Sequence, residues 1–329
     1  MTAMLEMNGI SKRFVKHLDL AGKIAQTLGS NIREEVVHAV DGVNLSITRG
    51  EVVGLVGESG CGKSTLGRMV AGILQPTAGE IRYKGNLVSA MEKDEGKETA
   101  LAVQMIFQDP FASLNPRMRV EGIIGEAPVL HGIISGREKP AYVREVMERV
   151  GLDPEYARRY PHQFSGGQRQ RIGIARALAV KPAFLVCDEA IAALDVSIQA
   201  QVINLFMDLR EELDLTYLFI SHDLSVVEHI SDQVVIMYLG RIVETASTDD
   251  LFDAPNHPYT QVLLNEVPRL ESRGIDYRPV SGEIPSPLDP PPGCHFHPRC
   301  PKAIDRCRTE QPLLREIAPG RTSACHLND

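Results

Sequence analysis

The stretch Gly57-Glu58-Ser59-Gly60-Cys61-Gly62-Lys63-Ser64, followed by Thr65, constrains this chain more than any other. An apolar run at 51–56 precedes it and a helical pattern over 63–74 follows, so it reads as strand, tight glycine turn and helix. In such a turn the glycines let consecutive backbone N–H groups face inward around an anion. The helix N-terminus adds partial positive charge. The expected ligand is a phosphate.

Alternating apolar residues (Leu5 and Met7; Val37, Ala39, Val43, Leu45 and Ile47) predict antiparallel strands over 4–14 and 36–47. Between them, residues 15–35 mix Leu18, Leu20, Ile24 and Leu28 with charges, which suggests an inserted loop with a short helix. Apolar runs at 80–83, 102–107, 184–187, 216–220 and 233–237 predict further strands. Strands alternating with helices imply an α/β fold whose largely parallel sheet is covered on both faces. Residues from about 115 to 180 lack strand patterns and read as a helical subdomain. After residue 265 the composition shifts: Pro285, Pro287, Pro290, Pro291 and Pro292 exclude a regular helix or central strand. The chain is therefore divided into 1–265, which holds the phosphate loop, and an extension, 266–329.

A chain of 329 residues can hold one large domain with an appendage. Its formal net charge of −8 argues against an undirected affinity for nucleic acid, which needs a basic face. No stretch approaches the roughly 20 apolar residues of a membrane-spanning helix. Met1 to Met7 lack the basic start and apolar run of a signal peptide. A cytosolic location is expected, with any membrane association made through a partner.

Within the loop, Lys63 would reach the β- and γ-phosphates of a nucleoside triphosphate, and Ser64 would ligate Mg²⁺. Phe184-Leu-Val-Cys-Asp188 is an apolar strand ending in a carboxylate. Asp188 would hold the same Mg²⁺ through water, and Glu189 would polarise the attacking water. Alone, a strand ending in Asp is a weak signal. Its position downstream of a second glycine motif strengthens it.

That motif, Phe164-Ser165-Gly166-Gly167-Gln168 followed by Arg-Gln-Arg-Ile-Gly-Ile-Ala-Arg-Ala-Leu, resembles the signature of the ATP-binding cassette (ABC) family. The resemblance implies an ABC-type P-loop fold with a mixed sheet core, an antiparallel β subdomain and a helical subdomain. It implies ATP and Mg²⁺ as ligands, sandwiched between two cassettes, with the signature of one closing on the γ-phosphate held by the loop of the other. It also makes Gln108 the Q-loop glutamine, a further Mg²⁺ contact, Leu194-Asp195 the D-loop and His222 the switch histidine. Glu189, His222 and Gln108 then form the catalytic group. Phe14 matches the aromatic that stacks on adenine, with a core phenylalanine as the other reading.

Phe107-Gln-Asp-Pro-Phe-Ala-Ser-Leu-Asn-Pro-Arg-Met118, the run from Ala193 to Gln201 and His257-Pro-Tyr-Thr260 are similar to segments of the peptide and nickel importer ATPases. So are Gly293 through Cys307 and Cys325-His-Leu327. This narrower resemblance spans almost the whole chain outside 15–35. It implies an ATP-hydrolysing subunit at the cytoplasmic side of the plasma membrane. Its partners would be a homologous sister cassette, two transmembrane permeases and, indirectly, an external solute-binding protein. The alternative is a soluble ABC ATPase acting on nucleic acid or ribosomes; the coiled-coil insertion, second cassette or basic arm of such proteins is not seen. The transported solute is not encoded in these motifs.

One departure stands out. The family usually has Pro after the catalytic Glu and Ser before the D-loop Ala, whereas this chain has Ala190 and Ala192. Ala192 cannot donate the hydroxyl hydrogen bond that Ser would make across the dimer interface.

Four of the six cysteines, Cys294, Cys300, Cys307 and Cys325, fall in the last 36 residues. In a reducing cytosol they suggest a metal or cluster site before disulfides. Their spacings of five, six and seventeen intervening residues lack the close pair typical of structural zinc. Four thiolates fit an iron–sulfur cluster, and the related importer ATPases are thought to hold one. Zinc with His295, His297 or His326, and free thiols, are the other readings. Cys61 and Cys187 are expected to be packing residues. With no strand or helix foreseen to position it, the tail is expected to be structural, and its loss to leave the nucleotide site formed.

Overall fold

The computed structural model describes residues 3–16, 34–88, 94–265 and 282–329. The short helix expected within 15–35 lies outside the described residues. β1 (Ala3–Lys16) and β2 (Glu35–Thr48) form a long antiparallel pair, from Ala3 opposite Thr48 to Lys16 opposite Glu35, with its register shifted at irregularities between Ala3 and Arg13. β3 (Val52–Val56) leaves this pair and enters the glycine turn. β4 (Ala78–Tyr83) returns to the antiparallel sheet beside β1, with β5 (Asn86–Leu87) at its edge. The buried side of β1, Leu5, Met7 and Ile10, shares a core with Ile47 of β2 and Leu55 of β3.

The larger sheet adds β6 (Val103–Ile106), β7 (Phe184–Asp188), β8 (Thr216–Ile220), β9 (Gln233–Tyr238), β10 (Arg241–Ser247), β11 (Arg315–Ala318) and β12 (Arg321–Ser323). Its order is β11-β12-β10-β9-β3-β8-β7-β6. The run from β6 to β9 is parallel, and the opposite edge is antiparallel. Every residue of β3, β7 and β8 is buried. Continuous apolar sequence is what a strand covered on both faces requires.

Between β6 and β7 lies the helical subdomain, with helices Val120–Leu130, Lys139–Arg149 and Gly166–Leu178 and two short 3-10 turns. Ile124, Met147 and Ile172 pack in one cluster with Phe206 and Tyr217, so this subdomain shares a core with the sheet layer.

The extension does have elements that position it. β12 pairs with β10 through Thr322 opposite Thr245, β11 follows it, and helix Arg306–Thr309 carries Cys307. Phe296, 1% exposed, meets Tyr238 and Tyr259 with ring centroids 5.3 Å away in both cases. Burying such a ring stabilises the docked extension by roughly 2–3 kcal/mol. The strands of the extension are three and four residues long, too short to show a period. β10 was hidden for a different reason. Glu244 interrupts its apolar run, yet it is fully buried, its carboxylate accepting the N–H groups of Asn256 and His257 at 2.8 and 2.9 Å.

Candidate active site

The glycine turn follows β3 and is squeezed between β2 and β9. A Cβ on Gly62, whose φ is +107°, would stand 2.1 Å from the Ala39 carbonyl oxygen, so only glycine passes there. Gly62 also offers no side chain to cap the helix Lys63–Val70, leaving the first-turn amides for an incoming anion. Lys63 is 4% exposed, and its ammonium donates to the carbonyls of Gly57 at 2.6 Å and Glu58 at 3.0 Å. Ser59 and Gly60 form the exposed rim, while Ser64 and Thr65 are half-buried at the helix start. Cys61 is buried, which raises its thiol pKa, and it serves as packing.

Gln108, Glu189 and His222 follow β6, β7 and β8, three neighbouring parallel strands whose carboxyl ends point the same way. Ligands of open α/β sheets collect at that end. The Ser64 hydroxyl donates to Asp188 Oδ1 at 2.8 Å. Burial raises the Asp188 carboxyl pKa, while the Ser64 bond and the Arg68 charge oppose the rise. A buried carboxylate with a hydroxyl beside it is a donor set suited to a hard divalent cation. Glu189 adopts a left-handed backbone, φ +45°, a conformation that costs energy in a non-glycine residue and clusters at functional sites. That turn presents its carboxylate to two sequence-predicted partners. Gln108 Nε2 donates to Oε2 at 2.6 Å, and His222 Nδ1 stands 3.5 Å from Oε1. His222 remains 58% exposed. The structure therefore brings Lys63, Ser64, Gln108, Asp188, Glu189 and His222 to one end of the sheet.

Phe14 lies at the far end of β1, opposite Val37 on β2, and 43% of it is exposed. The Lys12 ammonium stands 5.3 Å from its ring. It is not a core residue. Along β2 it lies two residues from Ala39, which touches Gly62.

The signature is built differently. Ser165 caps the helix Gly166–Leu178 by accepting from Gln168 N at 3.4 Å, and Gln168 Oε1 accepts from Ser165 N at 3.0 Å. This reciprocal capping box fixes the turn. Ser165 and Gly166 are exposed, and Gly167 leans on Ile198. Asp195 and Ala192 of the neighbouring loop are exposed as well.

In the extension, the backbone N–H of Cys294 donates to the Cys307 carbonyl at 2.9 Å. Burial pushes the Cys294 thiol up to about 11, and the charges of Cys307, Cys300 and Cys325 add to the rise. Cys294 and Cys300 pack against the same apolar core. Among the described residues, however, no group of three or more His, Cys, Asp or Glu is gathered closely enough to hold a metal ion. His326 is committed elsewhere, with Nε2 at 2.9 Å from the Glu310 carbonyl and Nδ1 at 3.4 Å from Asp329.

Two residues at this end of the molecule were not foreseen from sequence. Tyr259 accepts the backbone N–H of Glu58 at 2.9 Å, and Arg299 pairs with the Glu58 carboxylate at 2.7 Å. His257-Pro-Tyr-Thr260 had marked Tyr259 only as part of a similarity, without a role.

Known proteins resemble this chain over most of its length. Residues 40–192 match the family model described as ABC transporter, and residues 243–307 match that of the oligopeptide/dipeptide transporter C-terminal region. The oligopeptide transport ATP-binding protein AppF of Bacillus subtilis is 53% identical over 295 residues, covering 88% of this chain and 90% of its own. The dipeptide transport ATP-binding protein DppF of Haemophilus influenzae is 49% identical over 294 residues, covering 89% and 90%. Among solved structures, a dimeric ATP-binding cassette in a post-hydrolysis state with ADP and phosphate superposes with a TM-score of 0.63 at 26% identity. The match covers 74% of this chain and 99% of that one. With two family models matched along its length and relatives at about half identity over most of it, the chain belongs to the ABC transporter ATP-binding family, in its oligopeptide/dipeptide branch.

Proposed function

We propose that this chain is the ATP-hydrolysing subunit of a membrane importer for peptides or a related small solute. The observation that carries the reading is the Gln108–Glu189–His222 cluster beside the Ser64–Asp188 pair, with the signature cap left exposed. In this reading residues 57–65 hold the triphosphate, Lys63 meets its β- and γ-phosphates, and Phe14 lies under the adenine. Ser64 and Asp188, with Gln108, would hold Mg²⁺, which neutralises charge on the phosphates. Glu189 takes a proton from the attacking water. Its oxygen bonds to the γ-phosphorus, the bond to the β–γ bridging oxygen breaks, and ADP and phosphate leave. Gln108 and His222 fix the orientation of that carboxylate.

Ser165 through Gln168, with Asp195, act on the nucleotide of a homologous partner cassette. Closure on ATP and reopening after hydrolysis are passed to two permeases by the helical subdomain, on the cytoplasmic side of the plasma membrane. A solute-binding protein serves the permeases from outside. Purification from membranes in mild detergent is expected to recover this chain with a second cassette and two polytopic proteins, hydrolysing ATP faster than the chain alone. Recovery with ribosomes or nucleic acid, or full activity from a monomer, would overturn the reading.

For the extension we infer an iron–sulfur cluster held by Cys294, Cys300, Cys307 and Cys325. The backbone link between Cys294 and Cys307 and the packing of Cys294 and Cys300 on one core support it, and all-cysteine chemistry fits such a cluster. Zinc needs its donors converged on a single ion at about 2.3 Å; a cluster spreads its ligands over several metal atoms. Anaerobically purified protein is expected to be brown, and replacing any one of the four cysteines to bleach it. Zinc without iron, or neither metal, would refute the cluster.

A further inference from the structure

The segment that carries the first cysteines also carries Arg299, and its side chain leaves the extension altogether. Nη1 donates to Oε2 of Glu58 and Nη2 to Oε1, each at 2.7 Å, a two-pronged fork between residues 241 apart in sequence. The Arg299 side chain is 4% exposed and that of Glu58 19%. Around the fork, Tyr238 Oη stands 3.4 Å from Nη1, and Tyr259 Oη holds the backbone N–H of Glu58. The Glu58 carbonyl in turn accepts from the Lys63 ammonium. One residue of the phosphate loop is thus fixed at its carboxylate by the extension, at its N–H by Tyr259 and at its carbonyl by Lys63. The base of Arg299 is equally firm. Phe296 is sunk in the aromatic core, Arg299 N donates to its carbonyl at 3.0 Å, and Gly293 packs against Cys307.

A carboxylate in a loop that must receive a triphosphate repels the ligand, and the more so where water is excluded. A guanidinium fork removes that charge and fixes its direction, which a single ammonium cannot do. We propose that Arg299 is a positioning residue of the ATP site, neutralising Glu58 and holding the phosphate loop in shape, so that the folded extension sets nucleotide affinity. The proposal rests on the reading of residues 57–65 as the ATP-binding loop. It changes the expectation for the tail, whose loss now reaches the nucleotide site.

The test is a double-mutant cycle on the full chain, reading the Kd of Mg-ATP and of Mg-ADP by calorimetry, with circular dichroism to verify folding. Arg299→Met leaves Glu58 charged and unpaired, and is expected to weaken ATP about tenfold or more. The loss should be larger for ATP than for ADP, because repulsion grows with ligand charge; a purely structural role would weaken both alike. Adding Glu58→Gln to Arg299→Met removes the stranded charge and should recover affinity to within about threefold of wild type. Unchanged affinity in Arg299→Met, or a double variant as weak as the single, overturns the proposal. If Arg299→Met does not fold, Arg299→Lys decides, since it keeps the charge and loses the fork. About three- to tenfold weakening supports the proposal, and wild-type affinity overturns it. Lys63→Ala is the control for the underlying reading: if that variant binds ATP as wild type does, the loop assignment fails whatever Arg299 does.

Discussion

Residues 57–64 are gripped from several sides: Ala39 of β2 closes on Gly62, Met237 of β9 on Gly57, and Tyr259 and Arg299 hold Glu58. The signature, at 164–168, sinks Phe164 into the core edge-on to Tyr156 and backs onto Leu194 and Ile198, but its capping box turns Ser165 and Gly166 to solvent. Both stretches set glycine amides at a helix N-terminus, so the chemistry they offer to phosphate is the same. What differs is who completes it. In the proposed reading the gripped loop is completed within the chain and is expected to bind nucleotide alone. The bare cap is rigid through its own hydrogen bonds, as a surface must be when its ligand arrives on another molecule.

That contrast can be broken at three points. Lys63→Ala should have the largest effect, because in the proposed reading the ammonium serves two phosphates through charge-assisted contacts worth about 1.5–3 kcal/mol each. ATP affinity of the isolated chain is expected to fall on the order of a thousandfold, measured by equilibrium binding; a loss under tenfold would mean the loop is not the self-sufficient half. Glu189→Gln comes next. The amide keeps the bond to Gln108 and cannot take a proton, so turnover of the assembled complex should drop by about 10²–10³ while ATP stays bound. Wild-type phosphate release from that complex would remove Glu189 from its role. Ser165→Ala is the mildest. Mixed with its partner cassette, the variant should hydrolyse about tenfold more slowly, and helix stability should fall by about 1 kcal/mol from the lost cap. An equal slowing in the unpartnered chain would mean that Ser165 acts on its own nucleotide, and the division into gripped and bare halves would fail.

Legibility in the sequence followed the range of the interactions. Strand β3, the glycine turn and helix Lys63–Val70 are contiguous, and each residue type reports the local backbone it needs. The helical subdomain was equally plain from its lack of strand patterns. Gln108, Glu189 and His222 were found by motif; that they converge follows from β6, β7 and β8 being neighbours, which no local pattern encodes. β10 was masked by the buried charge of Glu244, and β11 and β12 by their brevity. The Arg299–Glu58 fork left no sequence signal at all, because an ion pair formed by tertiary folding has neither period nor spacing. The departure at Ala190 and Ala192 was visible, and the structure separates the two: Ala190 is buried at 2% exposure, whereas Ala192 lies in the solvent-facing loop where its missing hydroxyl would matter.

The docking of β12 on β10 has a consequence for solubility. Seven residues of β10 would otherwise form the rim of the large sheet, with five consecutive buried positions from Ile242 to Ala246 behind it. A rim of unsatisfied amides and carbonyls over apolar side chains invites another strand to add, and natural proteins cover or charge such rims. Here Thr322 and Ser323 of the extension pair with β10, and β11 beyond them carries Arg315 and Glu316 into solvent. A chain cut after residue 265 would lose that cover together with Arg299, and it is expected to self-associate by strand addition, which size-exclusion chromatography would read. The β11–β12 hairpin thus closes an edge that a strand from a second copy could otherwise extend.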